Sequence, residues 1–293
     1  MTKDPSWQTE IQTVVSHVQG GGQNVVVTET AGSQAGATIV LMHGGGQTRH
    51  SWGTALRTFA AAGYRTIAYD ARGHGESQWA EDGDYTFAAL AADLKAILKD
   101  VEGPVALVGA SMGGIAAYRA IGDGLVRASA LVLVDIVPNP AQRGGERIVA
   151  FMTCNRDGFA SVDEAADAVS AYYPERQRPN DISGLRKNLR LRPDGRLGWH
   201  WDPRLFGNGP TTEPPDIASW AIDMASSVTL PVLLVRGGAS DVVDAEAVTG
   251  ARKLLPQLEV LEVPGAGHMI VGDQNDAFNA GVLDFVGRYM PSR

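Results

Sequence analysis

Residues 105–114, VALVGASMGG, hold Ser111 between Gly109 and Gly113 at the end of a short β-branched run. A bare G-x-S-x-G is a weak signal in a chain with 35 glycines, so its context must carry the inference. The apolar run 105–108 reads as a buried strand and the Ala-rich stretch from Met112 as a helix, which leaves Ser111 on the turn between them. A turn that sharp strains the serine backbone, and a Cβ at either flanking glycine would meet the neighbouring strand or helix. The helix starts at the serine, so its free amides and positive dipole end face any anion formed there. These are the requirements of a serine that attacks a carbonyl. A neutral hydroxyl is a poor nucleophile, and it needs a base to take its proton and an acid to fix the tautomer of that base.

The elements that position such a serine follow from the hydrophobic pattern. Residues 11–30 read as two strands joined by the glycine-rich turn 20–24, a hairpin at a sheet edge. Continuous apolar runs then recur at 37–44, 65–70, 104–110, 130–136, 230–237 and 258–264, the mark of parallel strands buried on both faces. Between them, 51–63, 86–101, the stretch after Ser111 and 245–255 have helical spacing, and 278–290 closes the chain. Strand and helix alternating in this way predict an α/β fold: a doubly wound, mostly parallel sheet of about eight strands. The interval 137–227 breaks the rhythm. It is rich in Arg, Pro and Trp and shows no clear strands, with helices expected around 144–158 and 161–173, the second opened by a capping box from Ser161 to Glu164. The predicted organisation is a core of 1–136 and 228–293 with 137–227 inserted as a helical cap.

A chain of 293 residues is long enough for one such domain with an insertion. A formal charge of -8 argues against nucleic acid or an anionic membrane surface as the main partner. There is no G-x-G-x-x-G after a strand, no G-x-x-x-x-G-K-[ST] and no H-E-x-x-H, so neither a cofactor nor a metal is expected. The one cysteine, Cys154, cannot form an internal disulfide, and the N-terminal residues show no secretory pattern; the expected location is the cytoplasm.

Taken together, VGASMGG (108–114), the HGGGQTRHSW loop at 43–52, YDARGHGES at 69–77 and GAGHM at 265–269 resemble the α/β-hydrolase superfamily, in its serine-nucleophile, cap-bearing esterase and perhydrolase-like branch. In that family the chain order is serine, acid, histidine. The resemblance implies Ser111 as nucleophile and His268 as base, since only His200 and His268 follow the serine. It implies Asp241, after the strand 230–237, as acid, with Asp135 at the end of 130–136 as the alternative some relatives use. The backbone N–H groups of Met112 and Gly45 are expected to form the oxyanion hole, with Gly46 the alternative to Gly45. His43, Asp70, Arg72 and His74 are expected to shape the loops below the site.

Within the cap, the triplet Trp199, His200 and Trp201 is the candidate substrate lining. The basic run from Arg176 to Arg196 reads as a solvated face, with an anion site as the other reading. The implied function is cofactor-free hydrolysis of a carboxylic ester, lactone or related small carbonyl compound by a monomer or small homo-oligomer. Perhydrolase (non-haem haloperoxidase-like) or C–C bond hydrolase activity at the same residues, or a non-turnover small-molecule receptor, are the alternatives. Ser111 argues against epoxide hydrolysis, which in this superfamily uses an aspartate nucleophile.

Overall fold

The computed structural model describes residues 11–139, 142–172, 178, 180–206, 217–268, 270 and 275–292. β1 (Thr13–Gln19) and β2 (Val25–Ala31) form the expected antiparallel hairpin, closed by a Gly20 N–H bond to the Asn24 carbonyl at 2.8 Å. There follow β3 (Thr38–Met42), α1 (Gly53–Ala61), β4 (Arg65–Tyr69), α2 (Phe87–Ile97), β5 (Val105–Ala110), α3 (Met112–Gly122) and β6 (Ala130–Val134). The insertion holds α4 (Gln142–Thr153), α5 (Val162–Tyr172), β7 (Leu189–Leu191), β8 (Leu197–Trp199) and α6 (Ile217–Met224). The chain then returns to the sheet with β9 (Val232–Gly237), α7 (Ala245–Leu254), β10 (Leu258–Val263) and α8 (Asn275–Tyr289).

The main sheet has eight strands in the order β1-β2-β4-β3-β5-β6-β9-β10. β2 runs antiparallel to β1 and β4, and every other pairing is parallel. The period-two alternation of a strand divides the apolar side chains between two cores. Val40, Met42, Leu107, Leu131 and Leu133 face α2 and α3, and Ile39, Leu41, Val108, Val132 and Val134 face Trp52, Leu56 and Phe59 of the α1 region and Phe278 and Phe285 of α8. Strand order reverses at β3, whose chain neighbour β4 lies to one side and β5 to the other. In open sheets of this kind the crevice at the carboxyl ends of the strands, at that reversal, is where ligands bind. The loop after β3 and Ser111 after β5 both open onto it.

The insertion differs from expectation in one respect. α4 and α5 lie close to the predicted helices, and Ser161 Oγ accepts from the Glu164 N–H at 3.2 Å while the Glu164 carboxylate accepts from the Ala160 N–H. The expected absence of strands is overturned by the antiparallel ribbon β7–β8, which pairs Leu189 with Trp199 and Leu191 with Leu197. Its strands are only three residues long, too short for alternation to register in the sequence. The turn between them places Gly195 at φ +79°, where glycine is favoured. Gly144 and Gly145 fall within α4. No helix among the described residues is long and apolar enough to cross a membrane.

Candidate active site

Ser111 caps α3 with φ 45° and ψ −114°, a left-handed conformation that a non-glycine residue adopts only under constraint from its surroundings. The flanking glycines supply that constraint. A Cβ on Gly109 would sit 2.5 Å from the carbonyl carbon of Gly113, and one on Gly113 would sit 2.5 Å from the Met42 carbonyl oxygen. Helix and strands therefore approach each other more closely than any other residue allows. Gly113→Ala should destabilise the fold by about 1–3 kcal/mol, because the opposing atoms are backbone and cannot turn aside. The check is a urea melt beside a control such as Gly124→Ala; nothing lies within 4 Å of a Cβ on Gly124, although its own φ of +67° adds some strain.

His268 follows β10 and lines the same cavity as Ser111. Its Nδ1–H donates to Asp135 Oδ2 at 2.8 Å. Asp135 ends β6 at φ 48°, is fully buried, and also accepts from the Gly237 N–H at 3.0 Å and from the Ser240 hydroxyl. That bond places the ring proton on Nδ1 and leaves Nε2 of His268 as the unprotonated nitrogen, with no partner among the described residues.

The acid expected from the resemblance, Asp241, is not at this histidine. Its carboxylate is about half exposed and pairs with Arg147 of α4 at 3.1 Å. In the turn after β9 it is the preceding residue, Ser240, that points inward: its hydroxyl donates to Asp135 and accepts from the Val242 and Val243 N–H groups, each at 3.1 Å. Asp241 therefore faces outward, and the alternative Asp135 occupies the position beside His268. Ser240 escaped the sequence reading. Its only signal there is adjacency to the expected acid.

The loop after β3 forms one wall of the cavity. The Gly44 N–H is taken up by Gln47 Oε1 at 2.9 Å and the Gly46 N–H by His74 Nε2 at 3.1 Å, whereas the Gly45 N–H has no partner among the described residues. Of the two glycines left open by the sequence, Gly45 thus has the free donor. Met112 is the first residue of α3, so its amide has no intrahelical acceptor. Gln47 itself lines the cavity and was not foreseen.

Behind this wall, His43, His74 and His200 form a buried ladder with ring centroids 5.0 and 5.9 Å apart. His43 donates from Nδ1 to the Gly44 carbonyl at 2.8 Å and accepts from the Ala71 N–H at 2.9 Å. His74 donates from Nδ1 to the Arg72 carbonyl at 3.1 Å while its Nε2 receives Gly46. His200 reverses the pattern: Nδ1 accepts from the Gly75 N–H at 2.8 Å and Nε2–H donates to the Gly46 carbonyl at 3.2 Å. Each ring is both donor and acceptor, which only the neutral imidazole can be. Burial pushes all three pKa values down, His200 to about 4 and His74 well below the usual histidine range.

The expectation that His200 lines the substrate space is therefore corrected. It is almost fully buried and its two nitrogens are committed to backbone, while its neighbours Trp199 and Trp201 do line the cavity. Lower in the same loops, Arg49 is buried against Asp70 and Glu76, and Arg72 grips Asp93 through two bonds of 2.6 and 2.7 Å. Within the basic run, Arg176 lies outside the described residues. Arg178 pairs with Asp163 and Asp167, Arg192 with Asp194, and Arg190 donates to the Gly75 carbonyl and stacks on Trp79.

The cavity lined by the loop, Ser111, His268 and the insertion is partly open to solvent and has a volume of about 160 Å³. No group of three or more metal-ligating side chains is found among the described residues. A parallel sheet with a strained serine on the turn after β5, and a histidine and a buried aspartate brought together from the ends of β10 and β6, defines the architecture of a hydrolase. The chain belongs to the alpha/beta hydrolase family, whose model matches residues 39–280. It is 30% identical over 299 residues to the esterase Rv0045c of Mycobacterium tuberculosis, covering 94% of this chain and 96% of the relative. It is 29% identical to the non-heme chloroperoxidase CPO-A1 of Kitasatospora aureofaciens, covering 86% of this chain and 93% of that one. Among solved structures, E-2-(acetamidomethylene)succinate hydrolase superposes with a TM-score of 0.80 over 94% of this chain and 99% of its own, at 23% identity, a likeness of fold.

Proposed function

We propose that the protein is a cofactor-free serine hydrolase of carboxylic esters, with Ser111 as nucleophile, His268 as base and Asp135 as acid. The observation that carries this reading is the His268–Asp135 hydrogen bond in the cavity that Ser111 lines. Nε2 of His268 takes the Ser111 proton as Oγ attacks the substrate carbonyl, and the oxygen that gains charge is received by the Gly45 and Met112 N–H groups. The imidazolium returns the proton to the departing alkoxide, leaving an acyl group on Ser111. Water, deprotonated by the same nitrogen, then releases the acid and restores the serine. Residues 137–227 act as a cap that encloses the substrate over a core of 1–136 and 228–293.

The likeness to the M. tuberculosis esterase supports the choice of ester substrates. The chloroperoxidase relative favours a second reading in which hydrogen peroxide intercepts the same acyl group to give a peracid. Incubation with a fluorophosphonate probe, followed by peptide mass spectrometry, tests the nucleophile. The expected result is one phosphonyl adduct, on Ser111, appearing in step with the loss of p-nitrophenyl acetate hydrolysis. A folded protein that hydrolyses the ester without labelling at Ser111 would overturn the assignment. Peracid formation from acetate and peroxide, measured alongside, separates the two acceptors.

A further inference from the structure

The cavity around Ser111 has three properties that together restrict what it can hold. Its volume of about 160 Å³ is close to that of an engineered protein cavity of about 150 Å³ that takes up one benzene molecule. Its far wall is built of flat rings. Trp199 and Trp201 stack at 4.8 Å with 12° between planes, Phe151 and Tyr172 stack at 4.4 Å and 27°, and Phe151 joins the two pairs at 5.6 Å from Trp199. The third property is charge: no Lys, Arg, Asp or Glu lines it among the described residues. Arg190, from the basic run that could have supplied a counter-ion, is bound to Gly75 and Trp79 instead.

During the second half of an acyl-transfer cycle the alcohol has gone and the acyl group remains tied to Ser111, so the space beside Ser111 is where the acyl part packs. From this we infer that the preferred substrate is an ester with an uncharged, flat acyl group of about one ring, benzoate-like. The inference rests on the serine-hydrolase reading and deepens it. A straight eight-carbon chain exceeds this volume and would run out through the open side into water, and an acetyl group leaves most of the aromatic wall uncovered. A carboxylate on the acyl group would be desolvated with no cation among the described lining residues to receive it, since Arg147, over the Tyr172 ring, is held by Asp241 and the Tyr172 carbonyl.

Vinyl esters test this, because the leaving group is small and the same throughout. In a pH-stat, kcat/KM for vinyl benzoate should exceed that for vinyl acetate and vinyl octanoate by on the order of 10-fold, and that for monovinyl succinate by on the order of 100-fold. Trp199→Leu, which removes one face of the stacked wall, should reduce the benzoate-to-octanoate ratio several-fold. Octanoate or succinate turned over as well as benzoate, with Ser111 still labelled by the fluorophosphonate, would overturn the inference and leave the serine-hydrolase reading standing. Absence of both labelling and turnover would overturn the two together. Should Trp199→Leu fail to fold, the ranking of the esters by the unaltered protein decides alone.

Discussion

Asp135→Asn should lower kcat by about 10⁴ while leaving the fold intact, and Asp241→Asn should stay within about threefold of the unaltered enzyme. The contrast follows from the donors around each carboxylate. At position 135 one oxygen faces the Gly237 N–H and the other faces Nδ1 of His268 and the Ser240 hydroxyl. An asparagine there keeps its carbonyl oxygen toward the Gly237 amide, so its NH₂ group faces His268. Nδ1 must then accept rather than donate, the ring proton moves to Nε2, and the nitrogen that should take the Ser111 proton already carries one. Asp241 touches none of this. Its half-exposed pair with Arg147 is of the kind worth about 0–1 kcal/mol, so neutralising it should shift the melting temperature slightly and turnover hardly at all. Single-turnover kinetics with p-nitrophenyl acetate on both variants provides the measurement. The opposite ranking would return the role of acid to Asp241.

That Asp135 and not Asp241 lies beside His268 shows what a linear reading can and cannot carry. Strands β3, β5, β6 and β9 were legible because a parallel strand buried on both faces is almost continuously apolar over its five or six residues, whereas β10, LEVLEV at the sheet edge, was marked by its β-branched and leucine content between turns. The strained turn at Ser111 was legible for a similar reason, since glycine is required wherever backbone meets backbone at 2.5 Å. Choosing between Asp135 and Asp241 depends on which residue of a turn points inward, and 240 and 241 differ by a single step along the chain. The positive φ of Asp135, which directs its carboxyl across the end of the sheet toward His268, has no signature in ALVLVDI. Likewise His200 sits between two tryptophans that line the cavity, but the ribbon β7–β8 that leads into the triplet directs the rings to one side and the imidazole to the backbone of Gly46 and Gly75. Short irregular elements fix side-chain direction through tertiary contacts, and the sequence pattern holds no record of those.

Those same contacts make the protein sensitive to acid. His200 has a pKa of about 4 in the folded chain against 6.5 for an ordinary histidine, and burial is the largest cause. Between these values the unfolded state binds the proton and the folded state does not, so stability is at its full value above pH 6.5 and falls as the pH drops toward 4. For His200 alone the loss amounts to about 2 kcal/mol by pH 5 and about 3 kcal/mol once the folded pKa is reached. His43 and His74 are shifted in the same direction and add to it. Urea melts should therefore show a marked fall in unfolding free energy between pH 7 and pH 5, and His200→Asn, although less stable at pH 7, should lose about 2 kcal/mol less over that interval. The functional consequence follows from position. Gly46 is held at its N–H by His74 and at its carbonyl by His200, next to the free N–H of Gly45. A proton on either ring turns an acceptor into a donor facing another donor, His74 against the Gly46 N–H and His200 against the Gly75 N–H, and releases the loop that presents that amide. Turnover should accordingly fall with the acid limb of stability, and equal pH slopes for the unaltered protein and His200→Asn would show that the ladder carries no proton linkage at this position.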